Sequence, residues 1–444
     1  MMSPMKKVWQ RALGVLVLLA LGGAGGVAWL QARDQARSYG SESDKASALP
    51  ALALSERVAR GAYLARVGNC ASCHTARGGM AYAGGRAIGT PFGTVYAGNL
   101  TPDPETGLGR WSADDFWRAM HHGRSRDGHL LNPAFPYSSF TRVLRSDSDA
   151  LFAYLQQLPA VAQANRAHAL RFPFNTQLAL TVWRALYFKP AVFEPEPAQS
   201  DAWNRGAYWV TGLGHCAACH APRNGLGASV RADELGGGMI ATQGWYAPSL
   251  SDAHEAGVLR GKPQAMVDLL KTGRSGNASV VGPMAEVVFR STQYMAIEDL
   301  NDMVLYLQSL SKPALIQAAS SAFRQAPGKP DLRFTQGEKI YSTHCAQCHG
   351  EQGQGVSAIY AALAGNRAVT MANPANLVRV VVQGGFAPAT TGNPRPFGMP
   401  PFRQTLDDAQ IAAVLSYIRQ AWGNEASAVS PLEVLQNLQA NEAH

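Results

Sequence analysis

The residues Cys70-Ala-Ser-Cys73-His74 decide what kind of chain this is, because they recur twice with only one position changed. The later copies are Cys216-Ala-Ala-Cys219-His220 and Cys345-Ala-Gln-Cys348-His349, and together the copies use all 6 cysteines among the 444 residues. Cys-x-x-Cys-His is the signature of covalent c-type haem attachment, in which both thiols bond to the porphyrin and the histidine is the proximal iron ligand. A zinc site would need the cysteine pairs to converge, and a thiol redox pair needs no histidine. The sequence therefore predicts three covalently bound haem c groups.

Each motif lies inside a longer repeated unit. A short segment with one glycine precedes the motif, and an amphipathic helix pattern with an aspartate near its start follows it. The glycines are Gly61, Gly206 and Gly337, and the helix patterns at 149–158, 299–310 and 407–422 carry Tyr154, Tyr306 and Tyr417 at corresponding places. A small residue on one helix facing an aromatic ring on another permits the close crossing of first and last helices that is typical of a cytochrome c fold. We therefore expect a mainly α protein with three tandem class I cytochrome c domains, at 56–160, 199–312 and 329–424.

The N-terminal region reads as a membrane anchor. Residues 12–30 carry no charged side chain, and residues 1–11 before them contain Lys6, Lys7 and Arg11. At about 1.5 Å per residue the apolar run just spans a hydrocarbon core of roughly 30 Å. A cleaved signal peptide is the alternative, but no Ala-x-Ala pattern follows the run. We expect a single transmembrane helix, with 1–11 as a cytoplasmic tail and the body on the periplasmic side of a bacterial inner membrane. Linkers complete the chain at 31–55, 161–198 and 313–328, of which 161–198 is predicted as a linker or docking segment, and a tail follows at 425–444.

Composition and motifs exclude several other classes of protein. The 39 Lys and Arg against 31 Asp and Glu give a formal charge of +8, but no run of basic residues indicates nucleic-acid binding. The chain has no Rossmann glycine fingerprint, no phosphate-binding loop and no cysteine left over as a nucleophile. We therefore expect no catalytic residue in this chain, which carries electrons instead.

A methionine thioether as sixth ligand favours ferrous iron and raises the reduction potential. In the second unit, Met284 lies in Gly282-Pro283-Met284, and in the third, Met399 lies in Gly398-Met399-Pro400. Each stands in a stretch containing glycine and proline just before the last helix pattern, so both are predicted sixth ligands. Three other methionines compete in the second unit: Met239, Met266 and Met295.

The first unit departs from this pattern. Its equivalent stretch, Asn132-Pro133-Ala134-Phe135-Pro136-Tyr137, has a phenylalanine, which cannot ligate iron. The favoured replacement is His129 on the same loop, and His121 is next. Other outcomes are ligation by His122 or Met120, or an open five-coordinate iron that would allow peroxide or gas chemistry.

Longer motifs carry a family resemblance. They are YAGGRAIGTPFGTVYAGNLTPDPETGLGRWS (82–112), NPAFPYSSF (132–140), GHCAACHAPRNGLG (214–227), LAGN (363–366) and MPPF (399–402). Over about residues 56–425 the chain resembles the triheme cytochrome c subunit of membrane-bound periplasmic dehydrogenases. The resemblance implies the same proximal histidines and places the family's distal methionines at Met284 and Met399. The family's first unit usually reads Pro-Ala-Met-Pro-Tyr, so Phe135 is a departure.

The resemblance also implies a function and partners. In that family a catalytic subunit containing molybdenum, pyrroloquinoline quinone or flavin oxidises an aldehyde or alcohol. The cytochrome subunit then passes the electrons through three haems to ubiquinone, and a small iron-sulfur subunit can accompany the complex. The Pro-Ala-Phe-Pro-Tyr variant with an uncleaved N-terminal helix looks most like subunits that accompany molybdenum hydroxylases acting on aldehydes or N-heterocycles. The alternatives are a self-standing, peroxidase-like multihaem enzyme with an open first haem, or a cytochrome that donates to a terminal oxidase.

Overall fold

The computed structural model describes most of the chain after the predicted anchor. The described residues are 25, 26, 29, 32, 33 and 53–439, without 231–233, 241, 253, 257, 259–260, 277, 311–331 and 358. The predicted helix at 12–30 thus lies outside the described residues except for three positions, and the linker at 313–328 lies wholly outside them. Within the described part, no helix combines the length and the apolar character needed to cross a bilayer.

Helices make up most of the ordered structure. The first half holds α1 (Leu54–Val67), α2 (Cys70–His74), α3 (Ala113–His122), α4 (Tyr137–Phe140), α5 (Arg145–Leu155), α6 (Gln177–Tyr187), α7 (Asp201–Thr211) and α8 (Ala217–His220). The second half holds α9 (Pro263–Thr272), α10 (Gly282–Arg290), a 3-10 turn (Thr292–Tyr294), α11 (Ile297–Ser309), α12 (Leu332–His344), α13 (Ala346–His349), α14 (Arg367–Thr370), α15 (Ala375–Gln383), α16 (Asp408–Gln420) and α17 (Pro431–Gln439).

The strands are short and pair antiparallel in small ladders. They are β1 (Ala87–Thr90), β2 (Gly93–Tyr96), β3 (Ala169–Leu170), β4 (Gly238–Ile240), β5 (Trp245–Ala247), β6 (Arg274–Ser275), β7 (Ala278–Ser279), β8 (Gly385–Phe386) and β9 (Gly398–Met399). The sheet orders are β1-β2-β3, β4-β5, β6-β7 and β8-β9. In the first ladder Ala87 is opposite Tyr96, and in the second Gly238 is opposite Ala247. The prediction of a mainly α protein is confirmed.

Three helix crossings organise the fold: α1 on α5, α7 on α11, and α12 on α16. At each crossing the predicted glycine touches the backbone of the facing helix. A Cβ built on Gly61 would lie 1.9 Å from the Ala150 carbonyl oxygen and 2.7 Å from the Tyr154 Cβ. Gly206 and Gly337 face Tyr306 and Tyr417 in the same way, with 2.9 Å and 2.8 Å to the tyrosine Cβ. The predicted glycine–tyrosine pairing is therefore confirmed at all three crossings.

The apolar core is divided unequally. The first two crossings share one core, in which Leu64, Leu151, Leu213 and Leu300 are fully buried. The third crossing has a core of its own around Ile411 and its neighbours. Because a shared core cannot be separated without exposing apolar surface, the first two repeats form one folding body.

Polar contacts connect the third repeat to the second. The Asn376 side chain on α15 accepts a hydrogen bond from the Tyr246 amide at 2.8 Å and donates one to the Tyr246 carbonyl at 2.7 Å. The Thr390 hydroxyl donates to the Thr272 carbonyl at 3.1 Å. The loop before Met399 therefore lies against the end of α9 in the second repeat.

Two helices lie in segments predicted as linker and tail. In the segment 161–198, Thr176 caps α6, because its hydroxyl accepts a hydrogen bond from the Ala179 amide. Helix α17 lies in the predicted tail at 425–444 and buries Val434 completely against the third core. Each of these segments therefore contains a helix, although the sequence predicted only a linker and a tail.

Candidate haem sites

The three motif histidines have one hydrogen-bonding arrangement. The Nδ1 atom lies 2.7 Å from the Gly98 carbonyl oxygen in His74, 2.7 Å from that of Pro248 in His220, and 2.8 Å from that of Ala361 in His349. A carbonyl oxygen can only accept, so Nδ1 carries the proton and the lone pair of Nε2 is available to a metal. Burial lowers the pKa of each imidazole, although the carbonyl bond opposes this shift. The arrangement suits a neutral histidine that ligates iron.

A single helical turn brings the thiols and the imidazole of each motif together. The first motif is the helix α2, and in the others the histidine amide donates to the carbonyl of Cys216 or Cys345 at 2.9 Å. Residues three and four apart lie on one face of a helix, so both thiols and the histidine project to the same side. This is the arrangement that a haem bonded by two thioethers and one histidine requires.

None of the six cysteines forms a disulfide bond with another. Burial raises the pKa of Cys70 and of Cys216 to about 12, and that of Cys345 to about 11. The histidine next to each second cysteine distinguishes this donor set from a thiol redox pair, which needs no histidine, and fits a c-type haem.

The predicted sixth ligands lie in short elements. Met284 lies in the first turn of α10, and Gly282 before it has φ +57°, with a position for Cβ only 2.7 Å from the Trp245 ring. Met399 lies in β9, opposite Gly385. Both methionines are half-buried. Their roles as iron ligands stay predictions.

The competing methionines of the second repeat lie in different surroundings. Met295 is 1% exposed in the shared core, and Met266 packs against that core. Met239 is 44% exposed, with its sulfur 3.9 Å from the Asn373 side-chain nitrogen. The burial of Met295 is that of a core side chain.

Comparison with known proteins gives the chain its family. The profile of the cytochrome c family matches residues 58–159 and 334–422. The chain is 38% identical over 382 residues to the cytochrome c subunit of alcohol dehydrogenase (quinone) from Gluconacetobacter polyoxogenes, covering 83% of this chain and 81% of the relative. The chain belongs to the family of cytochrome c subunits of dehydrogenase complexes.

Two further relatives support the same membership. The cytochrome c subunit of gluconate 2-dehydrogenase from Pantoea cypripedii is 35% identical, over 87% of this chain and 90% of its own length. A nicotinate dehydrogenase polypeptide from Pseudomonas putida is 40% identical over 83% of this chain, which spans only 30% of that relative. This cytochrome c subunit therefore transfers electrons and is not the catalytic subunit, as predicted. Its cytochrome c domains carry covalently bound haem c.

The two candidate ligands for the first haem lie in contrasting places in this cytochrome c subunit. His129 is half-exposed, and its Nδ1 lies 2.5 Å from an Asp127 carboxylate oxygen. His121 is fully buried on α3 and stacks on Trp117, with ring centroids 4.4 Å apart. Burial lowers the pKa of His121 to about 4, against a backbone hydrogen bond with Thr141. The choice between the two histidines stays a prediction.

Phe135, the departure from the family pattern, packs inside the first repeat. Its ring centroid lies 5.3 Å from that of Phe140 and 6.4 Å from that of Tyr137. Phe135 therefore fills with an apolar ring the place where the family's pattern has a methionine.

One residue at the sites was not predicted from the sequence. Arg86 follows the first motif, and its guanidinium donates to the Ser72 carbonyl inside that motif and to the Glu286 carboxylate of α10. The sequence signal was present in the quoted motif 82–112, but a single sequence does not show which of its residues reaches another repeat. Arg86 joins the first attachment turn to the helix that carries Met284.

Proposed function

We propose that this subunit carries three c-type haems in three tandem cytochrome c domains and conducts electrons along them. One observation supports this above the others: the Nδ1–carbonyl bond of His74 recurs at His220 and His349, with 2.7, 2.7 and 2.8 Å. The family profile does not include the region around His220. The glycine–tyrosine crossing and the histidine arrangement are nevertheless the same there as in the other two repeats.

The residues that would hold each haem follow from the motifs. Each cysteine pair would form the thioethers, and each motif histidine would ligate the iron through Nε2. A bound haem c supplies reversible one-electron exchange at its iron. The Nδ1–carbonyl bond fixes the ring orientation and raises the basicity of the ligand, and the thioethers of Met284 and Met399 would favour the ferrous state.

We further propose that the subunit serves a membrane-bound dehydrogenase and delivers electrons to ubiquinone. The relative from Gluconacetobacter polyoxogenes is named as part of a quinone-type alcohol dehydrogenase. The relative from Pseudomonas putida is named for nicotinate, an N-heterocycle. The Pro-Ala-Phe-Pro-Tyr stretch at 133–137 and the name of the Pseudomonas putida relative favour one of the three types of catalytic partner, molybdenum over pyrroloquinoline quinone and flavin. This partner would be a molybdenum hydroxylase with a small iron-sulfur subunit, acting on an aldehyde or N-heterocycle.

The proposed location is the periplasmic side of the bacterial inner membrane. The apolar run 12–30, with Lys6, Lys7 and Arg11 before it, supports a single-pass anchor with its N-terminus in the cytoplasm. Washing membranes with alkaline carbonate tests this proposal. The full chain should stay in the membrane pellet, and its release into the supernatant would contradict the anchor.

Haem counting tests the triheme proposal most directly. The complex is purified from its native membrane, and pyridine haemochrome absorbance is compared with the amount of this chain. We expect three haems per chain, and a value of two would overturn the proposal. Analysis of the copurified subunits for molybdenum, flavin and pyrroloquinoline quinone then identifies the catalytic partner.

The apolar surroundings of Phe135 favour one second candidate, a peroxidase-like enzyme with an open first haem. Electron paramagnetic resonance of the ferric protein separates the two functions. A low-spin, six-coordinate first haem supports electron transfer alone. A high-spin signal that binds cyanide quickly, together with peroxide turnover, would favour the enzyme. Rapid reduction by quinol without a dehydrogenase partner would instead indicate a donor to a terminal oxidase.

A further inference from the structure

An ion pair spans the junction between the first and second haem-attachment regions. The Arg86 guanidinium holds both oxygens of the Glu286 carboxylate, at 2.7 Å and 3.1 Å. The same guanidinium donates to the carbonyl of Ser72, which lies between the two cysteines of the first motif. Arg86 thus forms hydrogen bonds with the first attachment turn and with the second repeat at the same time. A forked arginine–carboxylate pair fixes direction as well as distance.

The partner of Arg86 lies on the helix that carries Met284. Helix α10 packs against α2, the first attachment turn. Successive residues of an α-helix are about 100° apart around the axis, so residues separated by two, such as Met284 and Glu286, point in nearly opposite directions. Because Glu286 faces the first repeat, Met284 is directed away from it. Gly282, in the same turn, packs on the Trp245 ring of the second repeat.

Arg86 and Glu286 form an ion pair in which each side chain is 37% exposed, so solvent screens the pair only in part. The pair joins the first attachment turn to helix α10.

The link is specific to this junction. The residue two places after Met399 is Pro401, which has no carboxylate. The third repeat therefore lacks a counterpart of Glu286 at the matching position.

We propose that Arg86 and Glu286 are a positioning pair that fixes Met284, as sixth ligand of the second haem, relative to the attachment turn of the first. The inference rests on the proposed function, since it takes Met284 as an iron ligand. Helix α10 has 9 residues and carries the methionine in its first turn. An anchor at Glu286, half a turn further on, therefore controls where the thioether lies.

Two possible roles of the pair give opposite expectations for the midpoint potential of one variant, Glu286→Gln. If Arg86 and Glu286 acted only through their charges, Arg86→Gln would lower the midpoint potential of the second haem and Glu286→Gln would raise it. If they position Met284, both substitutions weaken the thioether ligation, and both lower that potential, because a methionine ligand raises it. Arg86→Lys keeps the charge but loses the fork, so a positioning role predicts an intermediate shift and a charge role predicts none.

The experiment uses the full haem-loaded chain in its complex, with potentials measured by spectroelectrochemistry. The far-red absorption of methionine-ligated ferric haem is the second readout. The share due to Met284 is the difference between the parent and Met284→Ala. We expect Arg86→Gln and Glu286→Gln to lose most of this share and to shift the second haem downward. Arg290→Gln is the matched control: Arg290 lies 3.4 Å from the same carboxylate without contacting the first motif, and its removal should preserve the band.

The outcomes separate the inference from the proposed function. If Met284→Ala leaves the far-red band unchanged, the ligand assignment is wrong, and the inference falls with it. If Met284→Ala reduces the band while the two substitutions shift the potential in opposite directions, or not at all, only the positioning role is wrong. Pyridine haemochrome confirms that each variant keeps its haems. If Arg86→Gln fails to mature, Glu286→Gln and Arg86→Lys still decide, because a positioning role lowers the potential in both.

Discussion

The hydroxyl of Tyr208 in the second repeat donates to the carboxylate of Asp147 in the first, at 2.7 Å. The reverse bond also exists, since the hydroxyl of Tyr63 in the first repeat donates to Asp299 in the second. Each hydroxyl also accepts a backbone amide at 3.2 Å, from Leu144 or Ala296, the residue that precedes the partner helix. The two repeats therefore exchange equivalent bonds across their shared core.

Removing the Tyr208 hydroxyl should weaken this connection. Asp147 also holds Arg60 through two bonds of 3.0 Å, so Tyr208→Phe leaves the carboxylate paired. We expect a loss of about 1 to 2 kcal/mol in the free energy of unfolding, measured by urea denaturation of the haem-loaded chain. Asp147→Ala removes the acceptor of both Tyr208 and Arg60, and it should lower the free energy of unfolding by about 3 kcal/mol.

The third repeat provides the control for that measurement. The residue two places after its crossing glycine is Lys339, which is exposed. Lys339→Ala should change the free energy of unfolding by less than about 0.5 kcal/mol. An equal effect of Lys339→Ala and Tyr208→Phe would show that the exchanged bonds have no special role.

The same tyrosines predict a loss of stability in alkali. Burial is the largest cause that raises the pKa of Tyr208 and of Tyr63 well above their ordinary value. Between the unfolded pKa of about 10 and the higher folded pKa, the folded chain binds more protons than the unfolded chain. The stabilisation is therefore complete below about pH 10 and is lost as the pH rises through the folded value. Urea midpoints measured from neutral pH upward should fall above about pH 10 and fall less steeply in the double variant Tyr63→Phe, Tyr208→Phe. Equal slopes for parent and variant would contradict this assignment.

The crossing glycines should tolerate no side chain. Gly61→Ala would place a Cβ 1.9 Å from the Ala150 carbonyl oxygen, so α1 and α5 must separate. We expect a cost of about 3 kcal/mol or failure to accumulate the haem-loaded chain, measured by thermal unfolding and haem content. Gly225→Ala is the control, because nothing lies within 4 Å of its Cβ position and its φ is not positive. Normal stability of Gly61→Ala would mean that the helices do not cross this closely.

Substitution of Met399 tests the ligand of the third haem. Met399→Ala should lower the midpoint potential of one haem and remove its share of the far-red band, because the thioether no longer favours ferrous iron. Met239→Ala, at a side chain that is 44% exposed, should leave both unchanged. Retention of the band in Met399→Ala would place the ligand elsewhere.

Substitution of each candidate histidine tests which of them is the sixth ligand of the first haem. If His129 is the ligand, His129→Ala should convert one low-spin haem to high spin with little loss of stability, because the side chain is half-exposed. His121→Ala should destabilise the core by about 2 kcal/mol whether or not His121 ligates the iron, so the spin state of the haem and the unfolding of the chain are measured together. A low-spin first haem in both histidine variants would exclude both candidates.

Phe135→Met should raise the midpoint potential of the first haem if the loop can present a thioether to the iron.

Features that depend on residues close together in the sequence could be predicted better than contacts between residues far apart in it. The pattern at 407–422 predicts α16 well, because Asp407 caps it by accepting from the Gln410 amide at 2.8 Å. The pattern at 149–158 begins too late, since α5 starts at Arg145. Asp149 there serves an ion pair with Arg145 at 2.8 Å and does not begin the helix.

Contacts between repeats could not be predicted from the same patterns. Periodicity shows which face of a helix is apolar and does not name the partner of a polar side chain. Arg86 and Glu286 are 200 positions apart, and Tyr208 and Asp147 are 61 apart. Helix α6 was missed for a related reason: Leu178, Val182 and Leu186 on its outer side are all exposed, so its sequence resembles a docking segment more than a packed helix.

The unequal division of the core limits how this architecture can be rebuilt. A cut between the first and second crossings would divide one apolar core and expose apolar surface on both fragments. A cut after α11 would leave both interiors whole. Gene fusions, truncations and added repeats should therefore disturb the protein least at the boundary after α11. A cut there gives up the contacts of Asn376 and Thr390 with the second repeat but divides neither apolar core.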